Sequence, residues 1–299
     1  MRIRPVAAVA AGALLGLSAL ALSPAAAQAA PHGQGHPPVT VAHRGASSYA
    51  PENTLASIDA AARLGVEWVE NDVQRTKDGE LVILHDSSLA RTTNVEQVFP
   101  DRSPWNVSDF TLREIDKLDA GSWFGRKFKG ERVPTLEDYM DEVEHNDQSL
   151  LMELKSPELY PGIERQTLKE LRSEGWLSSS HVKHRLIIQS FNADTLKTVH
   201  TLRPDIRTGF LGNPSVADLP KFAKYCDQIN PVHTVVTRDY VTAVHGLKGP
   251  HRRPLDLYTW TVDDPATALK VAGLGVDGII TNKPDVVRDV VEGSDDEDD

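Results

Sequence analysis

Cysteine is nearly absent. Cys226 is the only one in 299 residues, so no disulfide can form within the chain and a Cys-built zinc site is excluded. The lone thiol reads as a small buried apolar residue. Positive charge is also short: 32 Lys and Arg stand against 43 Asp and Glu, a net charge of −11. Binding to nucleic acid through bulk electrostatics needs Lys and Arg to neutralise phosphates. No nucleic-acid partner is therefore expected, and any phosphate recognition must be local. An apolar run long enough to cross a bilayer is missing too. The stretch Val6 to Leu22 falls short of the roughly 20 residues a span requires, so no stable membrane insertion is expected.

What that stretch does have is the order of a secretory signal peptide. Arg2 and Arg4 precede it, and the small-residue string Ala25 to Ala30 follows. Residues 1–30 are expected to be removed, leaving a secreted, extracellular chain with 31–38 as a linker. Loss of the two arginines takes the net charge from −11 to −13. Six negative charges fall in the final eight residues, Glu292 to Asp299, and 291–299 reads as a solvated acidic tail.

Between these ends the chain is ordinary globular material, 40% hydrophobic and 25% charged. One barrel of about 250 residues would use nearly all of it. Strand-like segments start at Val39 and Val66, then at Leu150, Leu186, Ile206, Gln228, Leu257 and Gly278. Helical spacing lies between most of them, at Asn53 to Leu64, Ile163 to Glu174, Ala193 to Leu202, Ala217 to Tyr225 and Ala266 to Ala272. Repeated β-α units over this length predict an α/β fold, a TIM-type (β/α)8 barrel over 39–290. Leu64-Gly65-Val66-Glu67 and Leu274-Gly275-Val276-Asp277 echo one another where a helix hands over to a strand. The segment 87–135, rich in Pro, Gly and aromatics, breaks the rhythm and reads as an insertion after the second strand and its hairpin.

Barrel enzymes carry their reactive groups at the carboxyl ends of the strands. His43-Arg44-Gly45 directly follows the first strand, which puts a titratable ring beside a guanidinium, a pair suited to phosphate chemistry. Glu70 and Asp72 are two apart on a strand and so share a face. Asp78-Gly79 predicts a two-residue turn. That turn would pair residues whose numbers sum to 157, set Asp72 opposite His85, and gather Glu70, Asp72 and His85 in one cluster. Two carboxylates on an inward face repel unless something positive sits between them. Glu153, with Lys155 two residues on, supplies a third carboxylate and a cation. Hard oxygen donors without a Cys or paired-His motif fit Ca²⁺ or Mg²⁺ better than Zn²⁺.

Other features carry less. Trp260 and Phe191 suit either a substrate wall or the core. Glu52 suits either a substrate or cation contact or a helix start. The basic cluster Lys248, His251, Arg252 and Arg253 reads as a solvated loop, with an anionic polymer as the alternative partner.

Taken in order, His43-Arg44-Gly45, Pro51-Glu52-Asn53-Thr54, Glu70-Asn71-Asp72, Lys77-Asp78-Gly79, His85-Asp86, Glu153-Leu154-Lys155 and Trp260-Thr261-Val262 resemble the signature of the glycerophosphodiester phosphodiesterase family. The insertion resembles the family's own at Arg91 to Asn94, Leu118 to Gly121 and Val133 to Leu136. The resemblance implies that His43 and His85 are the general acid and base, that Glu70, Asp72 and Glu153 bind one divalent cation, and that Arg44 and Lys155 contact phosphate. It implies metal-dependent hydrolysis of a small glycerophosphodiester to glycerol 3-phosphate and an alcohol. The alcohol side stays open, with a glycerol-phosphate polymer such as teichoic acid among the candidates. Two other readings remain: a phospholipase D-like lipase acting on phospholipid or lysophospholipid, and a catalytically silent binding protein. The lipase would need an apolar rim, for which Trp105, Phe110, Trp123, Phe124 and Phe128 are available.

Overall fold

The computed structural model describes residues 37–293. The expected signal peptide and most of the expected tail lie outside the described residues. Residues Val39–Ala42 (β1), Trp68–Arg75 (β2), Leu81–Ile83 (β3), Ser149–Leu154 (β4), Leu186–Ser190 (β5), Arg207–Leu211 (β6), Gln228–Asn230 (β7), Asp256–Thr259 (β8) and Gly278–Thr281 (β9) form one sheet. Every neighbouring pair except β2–β3 is parallel, and β1 pairs with both β9 and β2. The sheet therefore closes on itself as a barrel of eight parallel strands, with β3 lying antiparallel on the outer part of β2.

Two clusters of buried apolar side chains lie on its two sides. One joins Ile58, Val69, Leu136, Met140, Leu150, Leu171 and Trp176; the other joins Ile229, Val241, Leu257, Val271, Ile279 and Val287. A third, smaller cluster of Val41, Leu151, Ile187, Tyr258 and Ile280 fills the barrel interior.

Helix ends follow local chemistry. Thr135 caps Leu136–His145, accepting from the Asp138 amide while the Asp138 carboxylate reaches back. Asn192, Thr237 and Asp264 cap Ala193–Leu202, Arg238–His245 and Pro265–Leu274 in the same way. The paired Gly echo is structural: Gly65 and Gly275 both take positive φ, 73° and 92°, which reverses the chain into β2 and β9.

Not expected were the short helices Val95–Val98 and Leu112–Ile115 in the insertion, and Leu136–His145, Ser179–His184, Arg238–His245 and Pro284–Glu292. The last of these runs past the start of the expected tail, with its own Val291 buried. The helix expected over Ala217 to Tyr225 shrinks to Leu219–Phe222, with Pro at its first turn.

The hairpin register also differs from expectation. Val73 pairs with Ile83, Gln74 with Val82 and Arg75 with Leu81, one residue off the expected sum, and the Leu84 amide donates to the Asp72 carbonyl. The turn holds three residues, Lys77 to Gly79, closed by the Thr76 amide on the Glu80 carbonyl at 2.9 Å, with Gly79 at φ 97°. A third loop residue in the left-handed region is the common three-residue hairpin solution. Thr76 favours it by holding Asp78 through its hydroxyl and accepting from the Glu80 amide.

The insertion has a core of its own. Leu84, Leu89, Val95, Phe110, Ile115 and Leu118 are buried together, with Trp105 packed against them. Phe128 packs against the main core and stacks edge-on with Phe124. Of the five aromatics available for an apolar rim, only Trp123 is exposed.

Candidate active site

The site grows from the turn after β1. Arg44 and Gly45 both take positive φ, 56° and 76°, which doubles the chain back so that the Arg44 amide donates to Glu70 Oε2 at 2.9 Å. A β-carbon on Gly45 would sit 2.3 Å from Ser57 Oγ, so only Gly lets the turn lie against the following helix.

Period-two alternation on β2 points Glu70 and Asp72 inward, and Asp72 lies beside Glu153 in the parallel register with β4. Glu70, Asp72 and Glu153 are all buried, and each offers an oxygen within 4.8 Å of the others.

Around them lies a cavity of about 120 Å³ lined by His43, Arg44, His85, Lys155, Gln189, Phe191 and Trp260 among others. His43, Arg44, His85, Lys155, Trp260 and the carboxylate trio thus meet at one end of the barrel, whereas Glu52 stays out of the cavity lining. His85 arrives by a route other than the one expected. It does not face Asp72 across the ladder; it follows β3 as the chain leaves the sheet.

The carboxylates strain against one another. Burial, then Asp72 and Glu153, pushes Glu70 well above the usual carboxylate range. Burial, then Asp72, raises Glu153 to about 8. For Asp72 burial acts upward as well, but Lys155 and Arg44 outweigh it and hold the group down. Lys155 Nζ is 3.1 Å from Glu153 and 3.5 Å from Asp72, and Arg44 Nε is 3.4 Å from Asp72. Arg44 acts against the rise at Glu70, and Lys155 and Arg44 against that at Glu153, but burial and the neighbouring carboxylates outweigh them. An all-oxygen, buried, under-neutralised trio fits a hard divalent cation.

Each His is held at Nδ1. His43 Nδ1 lies 2.7 Å from Asn282 Oδ1. The amide of Asn282 cannot be turned round, because its Nδ2 donates to Asp263 Oδ2 at 2.7 Å and a carboxylate only accepts. His43 must therefore carry a proton on Nδ1, which leaves the lone pair of its neutral form on Nε2. Burial, and then Arg44, pushes His43 down to about 4, so the ring is neutral at pH 7.

His85 Nδ1 lies 2.7 Å from Asp86 Oδ1. Arg91 binds Asp86 through Nε at 2.6 Å and Glu52 through both terminal nitrogens at 2.8 and 2.7 Å. Glu52 in turn accepts from Arg44 at 2.8 Å. The hydrogen bond from Arg91 chiefly holds Asp86 at about 2, so an ionised carboxylate backs His85. Glu52 does not line the cavity; it ties Arg44 to Arg91.

Sequence reasoning gave no role to Asn53, which donates to Asp72 at 2.9 Å, to Gln189, which reaches Glu70 at 3.4 Å, or to the pair Asn282 and Asp263. The carboxyl-end rule that picks out His43 also applies to Asn282, the first residue after β9. Trp260 donates its indole N–H to the Asn230 carbonyl and meets Phe191 edge-on, with centroids 5.6 Å apart.

Residues 43–286 match the Glycerophosphoryl diester phosphodiesterase family. The chain belongs to that family. A glycerophosphodiester phosphodiesterase of Caldanaerobacter subterraneus is 36% identical over 262 residues, 85% of this chain and 97% of that protein. One from Bacillus subtilis is 34% identical over 271 residues, 85% of this chain and 87% of the relative. Among solved structures, a phosphodiesterase of Oleispira antarctica in complex with the product sn-glycerol-3-phosphate superposes with a TM-score of 0.68 at 28% identity. It covers 86% of this chain and 97% of the other. The family match runs from the turn after β1 to the start of the final helix.

Proposed function

We propose that this phosphodiesterase hydrolyses small glycerophosphodiesters to glycerol 3-phosphate and an alcohol, outside the cell after loss of residues 1–30. The observation that carries the reading is the meeting of two separately oriented imidazoles with Arg44, Lys155 and the buried carboxylate trio in one cavity. Glu70, Asp72 and Glu153 would hold the divalent cation, Ca²⁺ or Mg²⁺. When bound, it supplies charge stabilisation to the phosphoryl oxygens.

Arg44 and Lys155 bind the phosphate. His43, neutral with its lone pair on Nε2, takes the proton from the attacking hydroxyl, either a glycerol hydroxyl next to the ester or water. His85, held at Nδ1 by Asp86, gives its proton to the departing alkoxide. If the glycerol hydroxyl attacks first, the same two residues exchange roles while water opens the cyclic ester. Trp260 and Phe191 form the wall beside Lys155, whose Nζ lies 5.5 Å from the Phe191 ring centre.

The lipase alternative loses its expected support, since four of the five insertion aromatics pack inward or against one another. No helix among the described residues is long and apolar enough to cross a membrane.

The test is a panel of glycerophosphodiesters, a glycerol-phosphate polymer and a phospholipid, assayed for glycerol 3-phosphate with and without chelator. Chelator-sensitive release from the small diesters is expected. Release from phospholipid alone, or none at all, would overturn the reading.

A further inference from the structure

The opposite end of the barrel holds a second cavity, of about 460 Å³, within the size range of small-molecule sites. Its lining comes from amino ends. Arg207 and Asp256 are the first residues of β6 and β8, Asp227 immediately precedes β7, and Lys183 lies on the helix before β5. On β6 Arg207 shares a face with Leu211, and on β8 Asp256 shares one with Trp260. Leu211 and Trp260 line the catalytic cavity. The two cavities are therefore the two ends of one barrel interior, with the apolar cluster of Leu151, Ile187, Tyr258 and Ile280 between them. No lining residue is common to both.

In the lining Lys183, Arg207 and Arg253 stand against Asp205, Asp227 and Asp256. Each lining carboxylate already has a partner of its own. Asp227 Oδ1 lies 2.8 Å from His251 Nδ1, Asp256 pairs with Arg207, and Asp205 is 2.7 Å from Arg203. Lys183 and Arg253, which also line the cavity, have no ion-pair partner among the described residues. The Ser179 hydroxyl, also in the lining, adds a neutral donor. Lys183 and Arg253 are thus the two lining cations left without a carboxylate in contact. Val182 and Pro254 supply a short apolar flank. The loop cluster of His251 and Arg253, which reads from sequence as solvated, forms one wall of this cavity.

We propose that the amino end of the barrel binds a small phosphomonoester, its dianion between Lys183 and Arg253 and its organic part against Val182 and Pro254. A dianion matches the two unpaired cations, and the Arg fork suits tetrahedral oxyanions. The proposal does not rest on the catalytic reading.

Calorimetric titration of the full-length protein with inorganic phosphate, and separately with sn-glycerol 3-phosphate, tests it. Lys183→Ala/Arg253→Ala should weaken one phosphate site at least tenfold and leave kcat and KM unchanged; the unchanged turnover shows that the variant is folded. Lys183→Gln alone, at an exposed helical position, should weaken the same site severalfold should the double variant fail to fold. Arg44→Ala should leave this site intact. The proposal is overturned if Lys183→Gln and the double variant bind phosphate like wild type, or if Arg44→Ala abolishes all phosphate binding.

Discussion

At the residue scale the two histidines differ in what stands behind them, and that difference is testable. His43→Ala and His85→Ala should each lower kcat by a factor on the order of 10² to 10⁴, the usual size of a general acid or base contribution. The double variant should lose much less than the product of the two, because both act in one transition state. Asn282→Ala should lower kcat by roughly 10-fold to 100-fold, as loss of a partner that orients a functional His does, with KM little changed. Asn282 touches Nδ1 of His43, Ser47 and Asp263, and does not line the catalytic cavity. An equal rise in KM would mean that Asn282 binds substrate directly. Stopped or steady-state kinetics on one diester separate these outcomes. Residues that hold other residues, such as Asn282 and Asp263, were illegible in sequence. Their partners lie 239 positions away in the first case, and no local spacing encodes so distant a contact.

At the scale of elements, strand order and the convergence of Glu70, Asp72 and Glu153 were legible, because period-two alternation is local and needs no knowledge of loops. The hairpin register was not. Asp78-Gly79 marks a turn, but its length was decided by Thr76, whose hydroxyl holds both Asp78 and the Glu80 amide. Leu136–His145 carries both helix signals, the Thr135–Asp138 cap and apolar residues at Leu136, Tyr139, Met140 and Val143, so it was legible although no helix was expected there. The two turn glycines make the contrast measurable. Gly79→Ala meets no atom within 4 Å and should cost about 1 kcal/mol for the positive φ alone, with activity retained. Gly45→Ala adds a collision with Ser57, whose carbonyl carbon would lie 2.6 Å from the new methyl, and should cost about 2–5 kcal/mol. Urea denaturation gives both values; equal losses would show that the turn after β1 tolerates a side chain.

At the scale of the whole molecule, the carboxylate trio ties adjacent strands β2 and β4 of the closed barrel, so its charge state bears on global stability. In the cation-free protein Glu70 and Glu153 are held above their unfolded values, Glu153 at about 8. A raised folded pKa contributes stability that is complete below the unfolded value, near 4.3 for Glu, and is lost as pH rises through the folded value. The cation-free chain should therefore lose stability between about pH 7 and pH 8.5. His43 adds little there. Held at about 4 when folded, it is neutral in the native state, and most unfolded His is neutral above pH 7. Ca²⁺ or Mg²⁺ binds the ionised carboxylates of the folded chain only, so it should raise the melting temperature. The rise should be larger at pH 8.5 than at pH 6, where protons compete for Glu70 and Glu153. Exhaustive chelation should abolish turnover, and either ion should restore it. Thermal melts at the two pH values, with and without ion, check the sign. A larger shift at pH 6, or full activity after chelation, would place the cation somewhere other than on Glu70, Asp72 and Glu153.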